Sequence, residues 1–298
     1  MGEILLLLRP ASEISLKSYF VKTFFLKKLL NSIKTTAKHN SLKIKVLKRT
    51  PGMILIQSPD PKKAVKLLKR IFGIASVSVA EKTNAKNMEE IKNLVLVYAK
   101  KELGKGDSFA LRVNRLGEHE FTSQEIAVEC GNEIMQKMNG LRVDLKNPKK
   151  ELFIELNKEQ LFLYSGKLPG AKGLPLGVEG RVGVIMNGER NELIASWLMM
   201  KRGCNIFPIV NKMNKKIKEN LEILKKWNSF RDFKPIPFNE LKNQREFLEA
   251  IVLSKEKVNE KNLQEINSLS KKTSFPVFVP LMLYPKEFIK EQLKQIKE

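Results

Sequence analysis

VGVIMNGERNELIASWLMMKRG, residues 182–203, reads as a buried strand, a tight turn and an amphipathic helix. In an α/β domain such a junction is an anion site, because unpaired N–H groups and the positive end of the helix dipole meet at one spot. Here the spot holds Asn187, Gly188, Glu189, Arg190, Asn191 and Glu192, so two carboxylates stand where a phosphate would bind. Outward from this turn the pattern repeats. CNIFPIV, a Lys-rich helix to about residue 228, FKPIPF, a helix through Leu248 and Glu249, AIVLS, a further helix and PVFVPLM follow in order. Short apolar strands alternating with helices predict a parallel, doubly wound sheet, whose mouth is where ligands bind.

The first 80 residues follow another rule. After the strand ILLLL (4–8), LKSYFVKTFFLKKLLNSIKTTAK puts Val21, Phe25, Leu29 and Ile33 on one helical face and Lys27, Lys34 and Lys38 on another. LKIKVLKR and MILIQS read as a hairpin across Pro51 and Gly52, and PKKAVKLLKRIFG as a helix opened by proline and closed by Gly73. Strand, helix, strand, strand, helix, strand predicts a ferredoxin-like sandwich. Between the two lies a unit over 81–168. The strand Phe109 to Arg115 delivers Arg112, Asn114 and Arg115 toward a loop carrying His119, and a helix is opened by the capping box Thr122-Ser123-Gln124-Glu125. A loop so equipped can grip a phosphate.

The 298 residues carry 55 Lys plus Arg against 32 Asp plus Glu, a formal charge of +23. The first 70 residues hold 16 of these cations and only 3 acids, so over half of the excess sits in under a quarter of the chain. Such an imbalance points to a polyanion. No apolar run is long enough for a membrane span or a signal-peptide core. Cys130 and Cys204 are too few for a disulfide framework and lack metal-ligand spacing, which fits a cytoplasmic protein. Both read as core residues, since neither has a base or second thiol nearby in sequence. Two histidines, His39 and His119, build neither a catalytic triad nor a metal cluster.

Several stretches together resemble one family. RVNRLGEHEFTSQEI, GLRVDLKNPKKELFIEL, LYSGKLPGAKGLPLGVEGRV and LMMKRG are similar to the THUMP domain and adjoining segments of tRNA 4-thiouridine synthetases, the ThiI-type tRNA sulfurtransferases. SEISLKS and IFGIASVSVA resemble the ferredoxin-like domain that precedes THUMP there. The resemblance implies an α/β and α+β multidomain chain. Residues 1–80 would be ferredoxin-like, 81–168 a THUMP RNA-binding domain, and 175–298 a Rossmann-like, adenine-nucleotide alpha-hydrolase-like parallel sheet. It also implies tRNA as partner, and it is compatible with a homodimer and with a thiolation-enzyme partner.

Against the family's pyrophosphate loop, Ser-Gly-Gly-x-Asp-Ser, this chain departs. The second glycine is Glu189, the acid is Asn191 and the closing serine is Glu192. A carboxylate about 5 Å from a phosphate, at an effective dielectric of about 20, costs on the order of 3 kcal/mol. The turn is therefore expected to cap itself and not to cradle phosphate. Lys255, Glu256 and Lys257 stand where the family has a small Gly- and Ser-containing segment lining the nucleotide pocket, and no cysteine follows Cys204. The resulting expectation is a tRNA-binding protein without a cofactor and without catalytic residues. Arg112, Arg115, His119, Lys146, Lys149, Lys150 and Lys172 are its candidate phosphate contacts, with Asn114 and Gln124 as polar aids. Two alternatives stand beside it. One is a sulfurtransferase or complex subunit using ATP and magnesium with a partner-supplied cysteine; the other is a basic protein of a membrane surface or ribosome.

Overall fold

The structure, a computed structural model, describes residues 2–50, 52–117, 120–230 and 232–297. Pro51 and His119, both used in the sequence reading, lie outside them. The chain runs β1 (Glu3–Pro10), α1 (Ser12–Ser15), α2 (Tyr19–His39), β2 (Lys45–Thr50), β3 (Met53–Gln57), α3 (Pro61–Leu68) and β4 (Ile74–Asn84). It continues through α4 (Met88–Glu102), β5 (Ser108–Leu116), α5 (Ser123–Lys137), β6 (Arg142–Val143), β7 (Lys150–Asn157), β8 (Gln160–Tyr164) and β9 (Leu168–Pro169). The last part is β10 (Arg181–Ile185), α6 (Arg190–Arg202), β11 (Asn205–Val210), α7 (Lys215–Lys225), β12 (Ile236–Pro237), a 3-10 turn (Phe238–Gln244), β13 (Ala250–Val252), α8 (Glu260–Thr273), β14 (Val277–Phe278) and α9 (Lys286–Lys297).

By contacts the chain forms two compact units. The first comprises Met1–Arg9, Lys43–Val65 and Ser76–Pro169, and the second Pro10–Leu42, Lys66–Ala75 and Gly170–Glu298. The strand order β2-β3-β1-β4 with two intervening helices is the ferredoxin-like order, and the same sheet runs on through β8-β7-β5-β6. In the first unit, period-2 alternation sorts β7 cleanly. Leu152, Ile154 and Leu156 join the core beneath α4 and α5, while Phe153 joins a second apolar layer with Leu5, Leu7, Leu55, Phe162 and Tyr164. Asn87 caps α4 by accepting the Glu90 N–H at 2.9 Å, and the Thr122–Glu125 capping box opens α5.

In the second unit the five strands are parallel, in the order β12-β11-β10-β13-β14. β10 is central, with β11 on one side and β13 on the other, so the turn after β10 sits where the winding reverses. One core joins Val182, Val184, Trp197, Leu224, Leu293 and Ile296; another joins Ile209, Ile236, Leu248, Ile251 and Phe275. Both faces of the sheet are thus covered.

The helix expected over LKSYFVKTFFLKKLLNSIKTTAK is α2, unbroken from Tyr19, and the short α1 precedes it. One element differs from expectation. The expected helix through Leu248 and Glu249 is replaced by the 3-10 turn Phe238–Gln244 and a short loop. The Glu249 N–H donates to the Arg181 carbonyl at 2.9 Å and Leu248 enters the core, so sheet pairing overrides helical spacing there. No helix among the described residues is long and apolar enough to cross a membrane.

Candidate functional site

The turn after β10 is built around one side chain. Glu192 is 2 % exposed, and its carboxylate accepts the backbone N–H groups of Asn187 at 2.7 Å, Gly188 at 2.9 Å and Glu189 at 3.0 Å. Three convergent N–H groups at a helix start are what a phosphate oxygen would need. In this chain its own carboxylate takes them. Burial pushes the Glu192 carboxyl above its ordinary value, the three donors pull it back, and the charge of Glu189 adds to the push.

The flanks fix the turn further. Gly188 has φ of +99°, and a Cβ there would lie 2.7 Å from the Lys216 Cβ, so glycine is required. Asn214 donates to the Asn187 carbonyl at 2.8 Å while its Oδ1 caps α7, and Asn220 donates to the Glu189 carbonyl at 3.0 Å. Glu189 and Arg190 are exposed and Asn191 is half-buried. Of the two carboxylates, Glu192 is the buried one, while the exposed Glu189 completes a capping box by accepting the Glu192 backbone N–H.

The candidate RNA contacts separate into groups. Arg112 bonds the Glu151 carboxylate at 2.8 Å and the Leu145 carbonyl at 2.9 Å, which ties it to the loop 144–149. In that loop Asp144 accepts the N–H groups of Lys146 and Asn147, leaving the Lys146 side chain exposed. Lys149 pairs with Asp107 at 2.6 Å, and this partner holds the Asp107 carboxyl below its usual range with help from the Gly104 N–H. Lys150 opens β7, opposite Phe109. Asn114 and Arg115 lie toward the other end of β5, opposite Glu155 and Leu156, and Gln124 is exposed on the first turn of α5. From Phe109 to Arg115 the strand rises about 20 Å, so the structure does not gather all of these residues at one point. Lys172, in the second unit, is exposed with φ of +58°. His119 lies outside the described residues.

The strand face that carries Arg112 also holds functional side chains that no local sequence motif marks. The Arg9 guanidinium pairs with Glu155, which also accepts the Tyr164 hydroxyl; Phe153 stacks on Tyr164 at 4.9 Å, and the Lys167 ammonium sits 4.2 Å over Phe153. The signal was present as the alternation Glu151, Phe153, Glu155 along β7, but the partners come from distant strands. Both thiols are inert by environment: burial pushes Cys130 up to about 12 and Cys204 up to about 11. Among the described residues no group of His, Cys, Asp and Glu could hold a metal.

Comparison with known proteins fits this architecture. The THUMP domain model matches residues 85–165 and the ThiI ferredoxin-like domain model residues 5–78. A probable tRNA sulfurtransferase of Saccharolobus islandicus (strain M.14.25 / Kamchatka #1) is 30% identical over 333 residues, covering 98% of this chain and 86% of its own. That of Saccharolobus solfataricus is also 30% identical, over 331 residues with the same coverage. Among solved structures, PH1313 from Pyrococcus horikoshii is similar with a TM-score of 0.86 and 28% identity over 99% of this chain and 100% of that one. A 4-thiouridine synthetase solved in complex with RNA and bound ATP shares the fold, with a TM-score of 0.70 and 21% identity over 99% of this chain and 85% of that one. With its ferredoxin-like and THUMP domains followed by a parallel-sheet domain, the chain belongs to the ThiI-type tRNA sulfurtransferase family.

Proposed function

We propose that this protein binds folded tRNA through its ferredoxin-like and THUMP domains and does not activate ATP at the turn after β10. The observation that carries the reading is the Glu192 carboxylate, which accepts the Asn187, Gly188 and Glu189 N–H groups that a pyrophosphate would need. A triphosphate would have to displace a buried, triply bonded carboxylate and then face Glu189 beside it. The C-terminal domain in this reading is a scaffold and contact surface. Recognition is by RNA shape and backbone, which suits exposed lysines such as Lys146 and an overall charge of +23.

One observation favours a second reading. The curated relatives carry the name tRNA sulfurtransferase, which would make this chain an ATP-using enzyme or subunit with the sulfur-bearing cysteine supplied by a partner. Calorimetry separates the two. Titration with ATP and magnesium, with and without tRNA, is expected to give no saturable heat in the micromolar range, while tRNA alone binds. Saturable ATP binding abolished by substitutions in the turn, or tRNA-dependent release of pyrophosphate, would overturn the first reading.

A further inference from the structure

We propose that the aromatic stripe at the start of α2 and the groove beside α1 form a second RNA contact, one that stacks unpaired nucleotides. It rests on the tRNA-binding reading and deepens it by naming the part of the RNA held. Leu16 is 86 % exposed, Tyr19 76 % and Phe20 83 %, and Phe24 lies exposed on the same helical face. A large apolar stripe left in water marks an interaction site. It adjoins a groove of about 730 Å³, lined by Leu16, Lys17, Lys201, Arg202, Tyr284 and Phe288, in which the last two rings stack at 4.2 Å.

Charge decides the occupant. α2 carries five lysines and no acidic residue, and the Lys28 ammonium stands 5.5 Å from the Phe24 ring. At the groove, Lys17, Lys201 and Arg202 outnumber Glu13 and Glu179. A second copy packed symmetrically on this face would set the α2 lysines against themselves, which opposes self-association. An acidic partner is required. Flat rings interleaved with cations suit a strand whose bases stack while its phosphates are neutralised, because every base offers a π-face. A paired stem hides its bases and gains nothing from the rings.

The test uses the full chain with two RNAs, a blunt duplex and the same duplex extended by a single-stranded tail carrying 2-aminopurine. Wild type is expected to bind the tailed RNA more tightly and to quench the probe. Tyr19→Ala with Phe20→Ala should weaken the tailed complex roughly tenfold or more while leaving the blunt one unchanged. Tyr19→Ala with Phe20→Trp should recover much of the binding lost in the double variant and report through the indole's own fluorescence. Equal affinity of wild type for both RNAs, or an unaltered tailed complex in the double variant, overturns the stripe and leaves the tRNA-binding reading standing. Failure of both RNAs to bind overturns both. Capture on phosphatidylserine vesicles in place of RNA, lost in the double variant, assigns the stripe to a membrane surface and also overturns it.

Discussion

At the scale of single residues, Glu192 is the point on which nucleotide chemistry turns. That a carboxylate would occupy the helix start was legible from NGERNE alone, since strand, turn and helix are all local patterns. Which of the two is buried under three N–H groups was not, because Glu189 and Glu192 are equally acidic and only the turn's curvature sends Glu192 inward and leaves Glu189 as the outer half of the capping box. Replacing Glu192 by serine leaves three converging N–H groups without their acceptor. The expected loss is about 1–3 kcal/mol, read as a lower urea midpoint. Millimolar pyrophosphate should recover much of that stability in Glu192→Ser by binding the freed donors, and should leave wild type unmoved. If pyrophosphate stabilises both proteins equally, the carboxylate does not block the cradle. Arg112 carries the converse lesson. Its exposure to a ligand was inferred from strand alternation, yet its partner Glu151 lies 39 residues away and pairs with it only once β5 and β7 are side by side.

At the scale of elements, sequence signals held where local chemistry and tertiary pairing agreed. The Thr122–Glu125 box, a four-residue pattern, opens α5 as read, and Thr122→Ala is expected to cost about 1 kcal/mol in chemical denaturation. The helix expected through Leu248 and Glu249 does not form, because the Glu249 N–H is drawn to the Arg181 carbonyl at the sheet and only a 3-10 turn precedes it. The 104–149 region also gives a pH prediction. Asp107, Asp144 and Glu125 all have carboxyls held below their ordinary values, by Lys149, by the Asn147 N–H and by Thr122 respectively. A depressed carboxyl stabilises the fold above its unfolded value, near 4, and loses that contribution as pH falls through its folded value. The urea midpoint should therefore be level from about pH 7 to 5 and then drop toward pH 3. In Asp107→Asn the drop should be shallower, since one titrating partner is gone; an unchanged slope would show that Asp107 contributes none of it.

At the scale of the whole molecule, charge and sheet topology act together. The +23 excess was legible by counting, and the strand–helix alternation gave both sheet types; what counting could not give was the grouping of lysines, because Lys146 and Lys150 reach one end of β5 while Asn114 and Arg115 stand at the other. A spread of cations along a surface predicts an affinity built from many weak phosphate contacts and not from one tight pocket. Each neutralised phosphate releases a counterion, so the logarithm of the binding constant should fall linearly with the logarithm of salt concentration. For about six contacts the affinity for tRNA is expected to drop on the order of a thousandfold between 50 and 200 mM salt. Lys146→Gln should lower that slope by about one unit and weaken all tRNAs alike, the mark of a backbone contact. Arg112→Gln should behave differently. Its guanidinium already serves Glu151 and Leu145, so it should reduce thermal stability while leaving the salt slope nearly intact. A tRNA affinity that is flat across this salt range would mean that the cationic surface does not hold the RNA at all.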